Sequence, residues 1–251
     1  SGYKDIYDCD LLYQIQNSIY PDTDTSGKPF EEVPLPYLPF FIIPFQFLSF
    51  LDLPYSFIAW TLINLLGFGF YLNFFVSRTV GIVLPKRLLL IILLSLPVFL
   101  NINYGQVNIW LGICAGEFFR AFFSGKPLKA GIWLGGWLFK PQLLILILPF
   151  LLIRKKFKVL IGFIVTMFVI LLISYGLIGE EGFYKLFELI RSSSEGGATS
   201  NAQIMMNWRM LGLHTAFLTN RTIGWTVIIV WSVIMTVGTL FIFSKEYKDN
   251  Q

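Results

Sequence analysis

Lys140, followed by Pro141 and Gln142, interrupts an apolar run of 24 residues from Ala130 to Ile153. A run of that length can cross a bilayer core of roughly 30 Å, so a cation near its middle needs a physical reason. Proline removes a backbone donor and disfavours helix in the residue before it, so the sequence predicts two half-length helices meeting at Lys140. At such a break a cation can face a polar cavity or an anionic ligand, and the Lys140-Pro141-Gln142 step suits a phosphate or pyrophosphate. The alternative is a lysine snorkelling to the interface from a short loop.

A second polar group is Asn103-Tyr104-Gly105-Gln106-Val107-Asn108, between two apolar stretches. Its amides donate and accept and Tyr104 adds a hydroxyl, which suits hydroxyl-rich ligands such as sugars. The alternative is a turn rich in Asn and Gly in which Asn108 caps the next helix. Asn207, Trp208 and Arg209 follow two methionines in a polar segment. They would either hold Asn207 and Arg209 over a cavity mouth or form a Trp anchor with an arginine at lipid headgroups. Asp5, Asp8 and Asp10 are the carboxylates available as a general base, although acidic residues in loops are more often simply solvated. Glu117 and Arg120 lie three residues apart and predict an internal ion pair. His214 reads as an interfacial or capping residue.

The elements that must position these groups are apolar. Hydrophobic residues make up 55% of the 251-residue chain and charged ones only 14%, with a mean hydropathy of +0.68. That composition lies outside the soluble globular range and predicts an all-α polytopic transmembrane bundle of about six to eight helical segments. The 26 Phe, 11 Tyr and 7 Trp suit side chains that meet lipid or its interface. The net charge of +4 comes from basic residues in short loops between apolar runs, not from a nucleic-acid-binding face. A single histidine and two cysteines in separate contexts, Cys9 and Cys114, suggest neither a metal cluster nor a disulfide framework.

Along the chain, residues 1–36 read as an acidic extracytoplasmic loop ending in PLPYLP. Apolar stretches follow at about 37–52, 54–76, 88–104, 107–123, 130–139 with 141–153, 157–178 and 223–243. The whole is expected to be one membrane domain, with a helical core over 37–178, a broken hairpin at 130–153, an extracytoplasmic loop at 179–222, a final span at 223–243 and a cytoplasmic tail at 244–251. Lys and Arg set the orientation. Arg78, Lys86 and Arg87, then Lys126 and Lys129, then Arg154 to Lys158 mark cytoplasmic loops, so the run between the last two should go in and come back with Lys140 at its turn. Residues 101–108 then fall on the outer side together with Lys140. The stretch at 37–52 is either a crossing or a re-entrant, interfacial segment.

The order of PLPYLP, NYGQVN, A-G-x-x-L-G followed by K-P-Q-L-L, RKKFK and M-N-W-R resembles the GT-C superfamily of membrane glycosyltransferases. It is most similar to glycosyltransferase family 87, the polyprenol-phosphate-mannose-dependent mannosyltransferase-like group. The resemblance implies transfer of a hexose, mannose being the first candidate, from a polyprenyl-phosphate donor to a glycan, lipid or protein acceptor at the cell membrane. It assigns Gly105, Gln106 and Asn108 to the outer turn that binds substrate, where Tyr104 is a further candidate, and Lys140 with Pro141 to the donor-phosphate end, where Gln142 is a further candidate. Arg209 would assist them, with Asn207 and Trp208 in the late outer segment. It also implies a catalytic carboxylate in the first outer loop. Gly2 to Asp8 look like a stretch downstream of that carboxylate, so the first helix and the base are expected upstream of Ser1, and Asp5 is a weak substitute. No cofactor is demanded, although the carboxylate leaves room for a divalent metal. Two other functions remain open at this point: a lipid-linked sugar flippase, and a membrane subunit without activity of its own.

Overall fold

A computed structural model describes residues 6–8, 10–11, 14–15, 18, 37–194 and 208–244. They form helices, and no strand occurs among them. Among the described residues three helices are long and apolar enough to cross a membrane: Leu53–Thr79, Phe157–Arg191 and Arg221–Thr239. A bent pair, Lys86–Leu93 with Leu96–Asn103, is of that length if its two halves act as one span. The chain divides into two compact units, residues 40–171 and residues 1–39 with 172–251.

In the first unit, residues 43–50 form a 3₁₀ helix, and Pro54 at the start of α1 (Leu53–Thr79) opens a 27-residue helix of about 40 Å. The apolar stretch expected as one segment over 88–104 is two short helices, α2 (Lys86–Leu93) and α3 (Leu96–Asn103), bent by 47°. Pro97 accounts for the break, since it has no N–H to donate to the Leu93 carbonyl four residues back and its ring crowds that carbonyl, and Ser95 takes extended backbone angles at the break. After α3 come α4 (Asn108–Phe123) and α5 (Pro127–Leu134). A 3₁₀ turn over Gly135–Phe139, Lys140 itself and a second 3₁₀ turn over Pro141–Leu143 then lead into α6 (Leu144–Ile153). The helix therefore stops on both sides of Lys140, as the proline predicts.

The helices on either side of Lys140 share one core. Ala130 and Leu134 of α5 and Leu144 and Leu151 of α6 pack with Phe118 and Ala121 of α4 and with Val159, Leu160 and Phe163 of α7 (Phe157–Ser194). Glycine permits the closest approach: a Cβ on Gly131 would lie 2.0 Å from the Val159 carbonyl oxygen, and one on Gly162 would lie 2.3 Å from that of Leu128. One turn on, a Cβ on Gly135 would meet the Thr166 methyl at 2.3 Å. Gly131 and Gly135 thus face Gly162 and Thr166, a small-residue crossing that brings two helix backbones together where lipid supplies no hydrophobic drive.

Two helix ends in this unit close in one pattern. After α4 the Lys126 N–H donates to Ala121 O at 2.9 Å and Gly125 has φ +70. After α6 the Lys156 N–H donates to Leu151 O at 2.9 Å with Lys155 at φ 52. Both are left-handed caps of the Schellman type, and Lys155 holds there a conformation that favours glycine. Glu117, buried on α4, is paired with Arg120 as its spacing predicts; the Arg120 Nε donates to Glu117 Oε1 at 2.8 Å.

In the second unit, α7 is broken at Gly179, whose φ of 66 and ψ of −167 only glycine adopts readily. The segment expected as a loop over 179–222 is instead helical to Ser194 and again over α8 (Trp208–Leu218). Ile178, Leu186 and Leu189 bury one face against Tyr7, a spacing that a count of charges does not show. Asp8 accepts the Leu11 N–H at 3.1 Å and the Lys185 ammonium at 3.2 Å, while the Tyr7 hydroxyl donates to the Tyr37 carbonyl. The Leu11 N–H and then Lys185 hold the Asp8 carboxyl below its ordinary range. A depressed folded value means stabilisation that is present above the ordinary aspartate range and lost as pH falls through that lower value. Hydrogen exchange at the Leu11 amide, corrected for its intrinsic pH dependence, is expected to speed up through that acidic window, and a flat profile would contradict the contact. Helices α8 and α9 (Arg221–Ser244) form a hairpin whose second helix is capped by Asn220, accepting the Ile223 N–H at 2.9 Å.

Candidate functional site

The turn from α3 to α4 is fixed by its own sequence. Gly105 takes φ +58, its N–H donates to Ile102 O at 3.0 Å, and the Gln106 N–H donates to Asn101 O at 2.7 Å, the pair of bonds that closes a Schellman cap. Val107 stands at the N-cap of α4 and has no side-chain oxygen to offer. The capping oxygen comes from across the turn, where Asn101 Oδ1 accepts the Asn108 N–H at 3.0 Å. Asn108 is therefore the first residue of its helix and not the cap, which leaves its side chain available.

That side chain meets Lys140. The Lys140 Nζ donates to Asn108 Oδ1 at 2.8 Å and to Gln106 Oε1 at 3.2 Å. Lysine only donates, so both amides must turn their oxygens toward it and their NH2 groups elsewhere. Among the described residues the third ammonium hydrogen and these two NH2 groups donate to nothing. The cluster thus presents unused donors to whatever approaches, beside the second lone pairs of the two amide oxygens. Hydrogen bonds to a charged group contribute on the order of 1.5–3 kcal/mol each, enough to hold the half-buried lysine in place.

An apolar cavity of about 330 Å³ adjoins the cluster. Val107, between the two amide residues, and Phe139, next to Lys140, are both in its wall, together with Phe45, Trp60, Trp110 and Cys114. Trp60, Val107 and Leu111 form a buried core there, with Phe45 and Phe139 packed on it. Individual aromatics in an apolar run carry no signal of a shared cavity, so the sequence did not single these residues out.

Several expected site residues are not brought to this cluster. Tyr104 and Gln142 are exposed, and the Gln142 side chain makes no hydrogen bond among the described residues. Asp5 and Asn207 lie outside the described residues, and Trp208 and Arg209 enter only as backbone at the start of α8. No group of three or more His, Cys, Asp or Glu side chains that could hold a metal occurs among the described residues. The basic residues gather at the opposite ends of the same helices. Lys126 follows α4, whose 16 residues span about 24 Å from Asn108, and the Lys156 Nζ lies 5.6 Å from the Phe122 ring centre near that end.

Comparison with known families matches residues 36–250 to glycosyltransferase family 87. The chain belongs to glycosyltransferase family 87. No curated protein and no solved structure matches it. Membership makes this a membrane glycosyltransferase, which agrees with its long apolar helices. In this family member the Lys140 cluster and the apolar cavity stand side by side.

Proposed function

We propose that this family 87 protein transfers a hexose, mannose in the first instance, from a polyprenyl-phosphate donor to a hydroxyl of a glycan, lipid or protein acceptor. The observation that carries this is the Lys140 ammonium, held by Gln106 and Asn108 beside an apolar cavity. A donor of this class has an anionic head and a long apolar tail. Lys140 and the free amide NH2 groups would take the phosphate oxygens, and the cavity would take the first isoprene units. As the bond from the anomeric carbon to the phosphate oxygen breaks, negative charge grows on the departing phosphate, and donors already aimed there lower the barrier. The acceptor hydroxyl attacks the anomeric carbon and gives its proton to a base. Asp5 is the weak candidate within the sequence, and Arg209 is the candidate for a second cation.

The segregation of charge supports an extracytoplasmic site in a multi-pass protein of the cell membrane. Lys126, Lys129 and Arg154 to Lys156 lie near the ends of α4, α5 and α6 remote from Lys140, and a basic end faces the cytoplasm. A cavity-filling variant tests the lipid slot. Cys114→Phe is expected to raise KM for a long-chain polyprenyl-phosphate mannose by about tenfold while changing KM for a short-chain soluble analogue by much less. Equal effects on both donors would place the tail elsewhere. Reconstitution in vesicles separates transfer from flipping: a new glycosidic bond without movement of donor across the bilayer supports the enzyme.

A further inference from the structure

We propose that Asn101 is the positioning residue of the Lys140 site, a role that rests on the phosphate-binding function given above to that site. Its side chain does what Val107 cannot. By capping the Asn108 N–H with Oδ1 at 3.0 Å, it starts α4 at a residue whose own amide is then free to accept from Lys140. Its carbonyl accepts the Gln106 N–H at 2.7 Å, so both amide-bearing residues that hold the lysine are tied back to one asparagine. The carbonyl bond would survive any substitution, whereas the side-chain cap is particular to this residue. Asn101 is 5% exposed, and its Nδ2 has no partner among the described residues.

Without the cap, the Asn108 N–H recruits the nearest oxygen, its own side chain among the candidates, and Lys140 loses acceptors. The free amine is then favoured over the ammonium. The experiment uses the membrane-reconstituted protein, a polyprenyl phosphate as binding probe and an amine-selective reagent read by mass spectrometry. Asn101→Ala is expected to weaken binding of the polyprenyl phosphate about tenfold and to speed labelling of Lys140 roughly threefold or more relative to Lys129. Asn101→Asp keeps the accepting oxygen, so its Lys140 labelling should stay at or below that of the unaltered protein. Unchanged binding in Asn101→Ala overturns the assignment. So does labelling that rises equally at Lys140 and Lys129, which means general loosening, or faster Lys140 labelling in Asn101→Asp. Lys140→Met distinguishes the two levels: if it still binds the probe normally, the phosphate-binding function fails, whereas loss there with normal binding in Asn101→Ala removes only the role of Asn101.

Discussion

Lys140→Ala is expected to lower glycosyl transfer from a polyprenyl-phosphate hexose by at least about 10²–10³-fold while leaving insertion into the membrane intact. That magnitude is what loss of one preorganised donor to a developing anion typically costs, and here the lost donor also carries a full charge. Lys140→Arg should recover part of the activity. Arginine keeps the charge, but its planar fork cannot offer one compact ammonium to both Asn108 and Gln106 at 2.8 and 3.2 Å. The check is turnover in proteoliposomes with normal protein incorporation, and near-normal turnover in Lys140→Ala removes this residue from the mechanism.

Gly131→Val is expected to prevent folding altogether. The first atom beyond the backbone already lies 2.0 Å from Val159 O and 2.6 Å from Phe163 N, and these are backbone atoms that cannot rotate away. Overpacking that side chains can absorb costs about 1–3 kcal/mol, so a clash between backbones should exceed that range. Even Gly131→Ala should depress the melting midpoint sharply, measured by the fraction that stays monodisperse in detergent on heating. Gly238→Ala, where a Cβ meets nothing within 4 Å, is the matched control. Wild-type melting of Gly131→Val would mean that α5 and α7 do not cross there.

What could be read from the chain follows from how local each signal is. The break at Lys140 was legible because proline acts on its own residue and the one before it. The Glu117 and Arg120 pair was legible because spacing of three on a helix fixes adjacency. The convergence of Gln106, Asn108 and Lys140 was expected only through loop charges, which place groups on a side of the membrane but not within bonding distance. The role of Asn101 is not legible in the sequence because its bond to Asn108 crosses a left-handed turn and follows no helical period. The amphipathic turn after Gly179 was hidden by its charges, since Glu180, Glu181, Lys185 and Glu188 mask the spacing of Ile178, Leu186 and Leu189. The bend between α2 and α3 is invisible in hydropathy, since one apolar stretch runs through it, and its one local sign is Pro97.

The most direct test is a structure of the protein with polyprenyl phosphate bound. A phosphate oxygen within hydrogen-bond distance of the Lys140 Nζ, roughly 3 Å, with the first isoprene units against Val107 and Phe139, is the expected result. A phosphate seated more than about 6 Å from that ammonium, or a lipid chain that bypasses the cavity, would contradict it.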